Sequence, residues 1–261
     1  QFYNSPFYSK SIEVENISGE ILVIITDSFG RESIYSWYDV EEKNSQSIYI
    51  NKCLLGGFIK HIPKDVLIIG FGGGAFAKYL EDHIENVNIT GIDIDKTMID
   101  IAKNELQVRT NDFYIMDALE AIKILIKKKK RYDLILVDVY GGDGEIPKYF
   151  KDKSFFEDIQ KLMLKDSVLS INFANYGLED NKRIQNYDKI HSNLLAIFGK
   201  YYSHMLAGKN DRGNVIGIYN LDKFYEASDY NFNYLEKVQN GEIEYDGNII
   251  QNTIVEETKK H

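Results

Sequence analysis

The chain has 261 residues, a net charge of −9, and 44% hydrophobic and 27% charged residues, enough for one large α/β domain with a small companion. A single cysteine, Cys53, excludes an internal disulfide, and five scattered histidines offer no zinc-ligand spacing, so no metal is expected. The acidic balance argues against nucleic acid as a partner. No apolar run reaches the roughly 18 residues needed to cross a bilayer and no signal pattern opens the chain, so a cytoplasmic protein without membrane contact is expected.

Residues 1–62 read as an N-terminal β unit. Ser11–Glu15, Glu20–Asp27, Ser33–Val40 and Gln46–Tyr49 are short β-branched or aromatic segments separated by Gly, Asn and Ser, the pattern of an antiparallel sheet. Leu54–His61 reads as a short helix ending before Pro63, which marks the boundary of a main domain over 63–220. The aromatics Phe2, Tyr3, Phe7 and Tyr8 suit packing or a subunit contact.

The main domain is organised around Val66–Asp93. Val66–Ile69 is an apolar run suited to a strand buried on both faces. Gly70, Gly72 and Gly74 follow, where the chain can take positive φ and a ligand can approach bare backbone. Ala75–Leu80 reads as a helix whose free N–H groups face whatever sits above the turn. A second strand, Ile89–Ile92, ends in Asp93, where nucleotide-binding sheets grip a ribose.

Lys96–Leu106 reads as helix, Asp112–Met116 as a strand ending at Asp117, and Ala118–Lys128 as helix. The run Lys127–Arg131 suits a solvated helix C-terminus. Tyr132–Val139 is an apolar strand in which Asp138 stands out, and a glycine-rich loop, Tyr140–Pro147, follows it. Ser154–Leu164 reads as helix, Val168–Ala174 as a fifth strand, and Asp180–Phe198 as a long helix. Tyr201–Leu206 and Asn214–Tyr219 are joined too closely for a crossover, which requires an antiparallel pair. Residues 221–261 form a polar C-terminal tail with no assigned structure.

Five parallel strands followed by an antiparallel pair form the pattern of the class I S-adenosylmethionine-dependent methyltransferase sheet. The fold class is therefore α/β, with the N-terminal β unit added. The carboxyl ends of its strands would carry the glycine turn, Asp93, Asp117 and Asp138 together, and open α/β sheets bind ligands there.

Within that pattern, V-L-I-I-G, I-D-I-D, M-D-A, Y-D-L-I-L-V-D and F-F-E-D-I-Q-K-L-M-L-K-D-S-V-L resemble the spermidine synthases, over about residues 5–220. These are aminopropyltransferases built on the methyltransferase sheet. The resemblance implies that Gly70, Gly72, Gly74, Asp93 and Ile94 bind the adenosyl donor, with Asp93 on the ribose. Asp117 and Ala118 would flank the adenine, and Asp138 would be the catalytic carboxylate. Tyr8, Tyr49, Tyr140 and Asp143 are the substrate candidates, and a homodimer is the usual state.

The chain departs from the family at the donor's amine, where the family's Asp is Gly73 here, and at its second loop acid, where Gly141 stands. Tyr49-Ile50-Asn51 replaces the family's gating segment. The leading reading is therefore methyl transfer from S-adenosylmethionine to a small acceptor, an amine being one candidate. The alternatives are aminopropyl transfer from decarboxylated S-adenosylmethionine, with Asp143 or Glu145 as substitute acids, and a silent nucleoside-binding paralogue. NAD-dependent oxidation is a further alternative, since Gly70-x-Gly72-x-x-Ala75 with Asp93 also fits that fingerprint.

Overall fold

The computed structural model describes residues 1–7, 11–26, 30, 32–45, 47–140, 146–173, 181–206 and 214–225. Five antiparallel strands form the N-terminal sheet in spatial order: β1 (Phe2–Tyr3), β2 (Ile12–Ile17), β3 (Glu20–Thr26), β4 (Glu32–Asp39) and β5 (Asn44–Ser45). Ser18 (φ 54°) and Gly19 (φ 95°) make the two-residue turn between β2 and β3, whose double positive φ matches the strand twist. Ile12, Val14, Ile21, Val23, Ile25 and Tyr38 are buried on the inner face.

Two expectations fail at the end of this unit. Of the strand expected over Gln46–Tyr49, the described Ser47 is not in a strand and Ile48 and Tyr49 are helical, and the helix expected over Leu54–His61 starts earlier, as α1 (Ile48–Gly57). The local I-Y-I run favours a strand, but Ile50, Cys53 and Leu54 are buried in the core as helix residues, so tertiary packing overrides propensity. Gly57 permits the close approach, because a Cβ there would stand 2.9 Å from Leu134 Cδ2.

The main sheet follows in βα alternation. Its elements are β6 (Asp65–Ile69), α2 (Ala75–His83), β7 (Asn88–Asp93), α3 (Lys96–Asn104), β8 (Asp112–Ile115), α4 (Ala118–Lys127) and β9 (Tyr132–Val137). After a 3₁₀ turn at Lys148–Lys151 come α5 (Lys153–Lys161), β10 (Met163–Phe173), α6 (Asn181–Phe198), β11 (Ser203–Leu206) and β12 (Val215–Tyr219). The spatial order is β11-β12-β10-β9-β6-β7-β8. Pairing is parallel from β10 to β8, and β12 runs antiparallel to both β10 and β11, as expected. α5 stops three residues before the expected Leu164 because β10 already begins at Met163, with a register shift before Val168.

The central strands are buried on both faces with a period of two. Val66, Ile68, Leu134 and Leu136 join a core with α1, α2 and α3. Leu67, Ile69, Ile135 and Val137 face the other way, into a core with α4, α5 and α6. The inner face of the N-terminal sheet belongs to the first core, and Tyr38 donates its hydroxyl to Asp82 on α2 at 2.7 Å. The small sheet is thus packed onto the helix that leaves the glycine turn. Among the described residues, no helix is long and apolar enough to cross a membrane.

Gly70 and Gly72 make different demands. A Cβ on Gly70 (φ 83°) would lie 2.6 Å from the carbonyl carbon of Asp138, whereas one on Gly72 (φ 54°) would meet nothing within 4 Å. Gly70→Ala is expected to cost more than about 3 kcal/mol, combining left-handed strain with overpacking against backbone. Gly72→Ala should cost only about 1–2 kcal/mol from its backbone conformation. Urea unfolding of the two variants measures the difference, and equal losses would contradict it.

Candidate active site

The carboxyl ends of β9, β6, β7 and β8 lie side by side, and the chain crosses to opposite faces of the sheet on either side of β6. Ligand crevices of open α/β sheets form at such a switch point. The first component is the turn after β6. Gly70 N–H and Phe71 N–H donate to Ile92 O at 2.9 and 3.1 Å, tying the turn to β7, while Asp138 N–H donates to Ile69 O at 2.8 Å from the other side. Gly74, at φ 90°, starts α2 with no side-chain cap.

Asp93, at the tip of β7, holds this turn in place. Its Oδ2 accepts Gly72 N–H at 2.8 Å and its Oδ1 accepts Asp95 N–H at 2.9 Å. Burial pushes the carboxyl above its usual range, and the N–H bonds from Asp95 and Gly72 partly offset that. The Phe71 N–H also favours this carboxylate, which still keeps acceptor capacity for a hydroxyl of a bound diol. Ile94 is 48% exposed next to it, an apolar surface on which a flat base can lie. Asp95 caps α3 through Thr97 N–H at 2.9 Å and accepts the hydroxyl of Ser5, so the N-terminal segment reaches this rim.

Asp117 stands at the end of the next strand, and its Oδ1 caps α4 by accepting Leu119 N–H at 2.8 Å. The carboxylate is thus a helix cap as well as a rim residue. Ala118 behind it is buried.

Asp138 ends β9. Its Oδ1 accepts Asn172 Nδ2–H at 2.9 Å, and the Tyr49 hydroxyl reaches the same carboxylate. Tyr49 sits in the first turn of α1, 3.4 Å from the Tyr35 carbonyl and edge-on to Phe76 at 6.5 Å between centroids. Burial raises the Asp138 pKa to about 6, the bonds from Asn172 and Tyr49 pull it back, and the charge of Asp93 adds to the rise. Tyr140, the next substrate candidate, donates its hydroxyl to the Asn172 carbonyl. It braces the start of the loop against β10.

The sequence reading missed Asn172, on β10 beside β9 and 3% exposed. The signal was a polar residue inside the apolar run Val168–Phe173, which signifies a partner when the strand is buried. Gly73, where the chain departs from the family's Asp, is tightly enclosed. A Cβ there would lie 2.8 Å from Ser36 Cβ and 2.9 Å from Val23 Cγ2, so the N-terminal sheet covers it. Tyr8, Asp143, Gly141 and Glu145 lie outside the described residues, as does 226–261.

A groove of about 1000 Å³ opens at the opposite edge of the sheet, lined by Asp65, Asn88, Asp112 and Tyr132 among others. Those are the residues that begin β6 to β9, so it lies away from the glycine turn and the acids.

Asp138 exchanges its proton near pH 6: it is protonated below and an anionic proton acceptor above. Asn172→Leu removes a donor that favours the anion, so the Asp138 pKa should rise by about one further unit. A ¹³C carboxyl titration by NMR reads this directly, and an unmoved or lowered value would contradict the assignment.

The family model of the spermine/spermidine synthase domain matches residues 53–207. The polyamine aminopropyltransferase of Neisseria meningitidis is 26% identical over 175 residues, covering 65% of this chain and 62% of that protein. The chain thus spans about three fifths of that relative's length. The eEF1A lysine and N-terminal methyltransferase of Mus musculus is 25% identical over 156 residues, 56% of this chain and 22% of that protein. The crystal structure of a probable spermidine synthase from Corynebacterium glutamicum superposes with a TM-score of 0.70 at 16% identity, covering 90% of this chain and 86% of that one. At that identity the likeness speaks for the fold, a class I methyltransferase-like sheet with a small antiparallel N-terminal sheet.

Proposed function

The chain belongs to the spermine/spermidine synthase family, and from that premise we propose that it is a transferase using an adenosyl-sulfonium donor, moving methyl from S-adenosylmethionine to a small acceptor. The observation that carries the transferase reading is Asp138, a carboxylate with its pKa raised to about 6 and held by Asn172 and Tyr49 next to the glycine turn. General bases work best with a pKa near the operating pH. Ile94, Asp93 and Gly72 support an adenosyl group laid along the tips of β7 and β6. The sulfonium makes its attached carbon electrophilic, and the thioether leaves with the bonding pair. This chain would align the acceptor in line, and Asp138 would take the proton that the acceptor loses.

Asn172 Oδ1 is buried and has no hydrogen-bond partner among the described residues. It supports an acceptor bearing an N–H, such as an amine. Methyl rather than aminopropyl transfer is supported by the turn itself, G-F-G-G-G-A, which has no acid to repel the carboxylate that S-adenosylmethionine carries and its decarboxylated form lacks. The aminopropyl reading is favoured by a different observation, the similarity to the polyamine aminopropyltransferase.

Methylthioadenosine, which carries the adenosine without the amino-acid tail, tests the donor site. Asp93→Ala should weaken its binding at least tenfold, the low end for a hydrogen bond to a charged group of about 1.5 kcal/mol. Unchanged affinity in calorimetry rejects the ribose contact. Asp138→Asn keeps the size of the side chain but cannot take a proton. It should bind the donor as the parent does and lose about 10²- to 10⁴-fold in turnover, and near-parental turnover dismisses the base. Ranking S-adenosylmethionine against its decarboxylated form by thermal shift separates the two reactions, because the better ligand raises Tm more at equal concentration.

A further inference from the structure

Gly73 is enclosed by the N-terminal sheet, and what encloses it is chemically incomplete. Ser36 on β4 is 2% exposed, its Oγ has no hydrogen-bond partner among the described residues, and it lies 3.2 Å from where a Gly73 Cβ would stand. A buried hydroxyl is normally satisfied, and leaving one unmade is costly. Next to it α2 begins: nine residues, no side-chain cap, and no acid in its first turn. Its peptide N–H groups and positive dipole end therefore face the same turn uncompensated.

A hydroxyl proton and a positive dipole end together suit an anion. Asp93 fixes where the ligand's ribose would lie, through its bond to Gly72 N–H. A group extending from that ribose along the turn comes next to Gly73 and the start of α2. On the adenosyl-donor reading above, on which this inference rests, that group is the amino-acid tail. Its ammonium is common to S-adenosylmethionine and the decarboxylated form, whereas only the former carries a carboxylate.

We propose that Ser36 and the start of α2 form the subsite for the donor's carboxylate, making Ser36 a specificity-determining residue supplied to the donor site by the N-terminal sheet. The two sheets then share one function: the parallel sheet binds the adenosine and the small sheet reads the tail. The enclosure of Gly73 fits this role, since a side chain at 73 would be forced into β3 and β4 and the selecting group comes from β4 itself.

Ser36→Ala tests the subsite without threatening the fold, because it removes a buried hydroxyl that has no partner to lose. Calorimetry on the full chain compares three ligands on parent and variant: S-adenosylmethionine, its decarboxylated form and methylthioadenosine. The expected result is S-adenosylmethionine binding weakened about 10- to 100-fold, with the other two unchanged. An unchanged ratio of S-adenosylmethionine to methylthioadenosine affinity overturns the subsite while leaving the donor site standing. A loss shared equally by the decarboxylated form also overturns it, since the ammonium would then be what Ser36 reads. If methylthioadenosine fails to bind the parent chain, the donor reading falls and takes the subsite with it.

Discussion

The contact on which the site depends is the passage of the Asp138 main chain against Gly70. No side chain fits between them, and Asp138 N–H bonded to Ile69 O at 2.8 Å continues the β6–β9 ladder to the end of the strands. A larger residue at 70 would push the end of β9 away from the turn. The catalytic candidate is carried by backbone that the glycine turn itself positions. On the other side Asp93 accepts from Gly72 and Asp95, so both neighbours of β6 are tied to the same turn. The glycine turn, Asp93 and Asp138 are therefore one mechanical unit, and small groups set far apart in sequence hold a shared geometry.

The N-terminal unit is part of this arrangement. Its inner face shares a core with α2 and α3, Tyr38 is bonded to Asp82, and α1 brings Tyr49 to the Asp138 carboxylate. Ser5 bonds to Asp95 and the Thr97 hydroxyl donates to Asn4 O at 3.0 Å, so the first residues of the chain border the rim that carries Asp93. An N-terminal extension that merely covered the sheet would have no reason to place polar groups at each of these points.

How much of this was legible in the sequence varied with the kind of signal. Strands buried on both faces announce themselves as unbroken apolar runs, so Val66–Ile69 and Leu134–Val137 were readable, and the acids after them stood out by contrast. The first part of α1 was not readable, because Ile48, Tyr49 and Ile50 are strand-forming residue types and the helix packs on β9, β10 and β12. Asn172 was hidden in an apolar strand, since its role exists only through Asp138 on the neighbouring strand. The surroundings of Gly73 were not readable, because a missing side chain says nothing about what fills its place. The filler, Ser36, comes from a strand whose alternation gives only the face it points to. Pairwise geometry across sheets is the information that one-dimensional patterns lack.

The same geometry sets a conflict at Asp138 that its neighbours moderate. Burial raises its pKa from 3.8 to about 6, so the folded state binds this proton more tightly than the unfolded chain does. Stability from this group is present at acid pH and is lost as pH rises from about 4 through about 6, the reverse of a salt-bridged carboxylate. At neutral pH the protein thus holds an anion where it is poorly solvated, and the bonds from Asn172 and Tyr49 limit that penalty. Full compensation would lower the pKa back to an ordinary carboxylate and remove the basicity a proton acceptor needs. Two donors leave it near 6. A stronger cradle would stabilise the fold at the expense of proton uptake, and a weaker one would leave the acid protonated to higher pH.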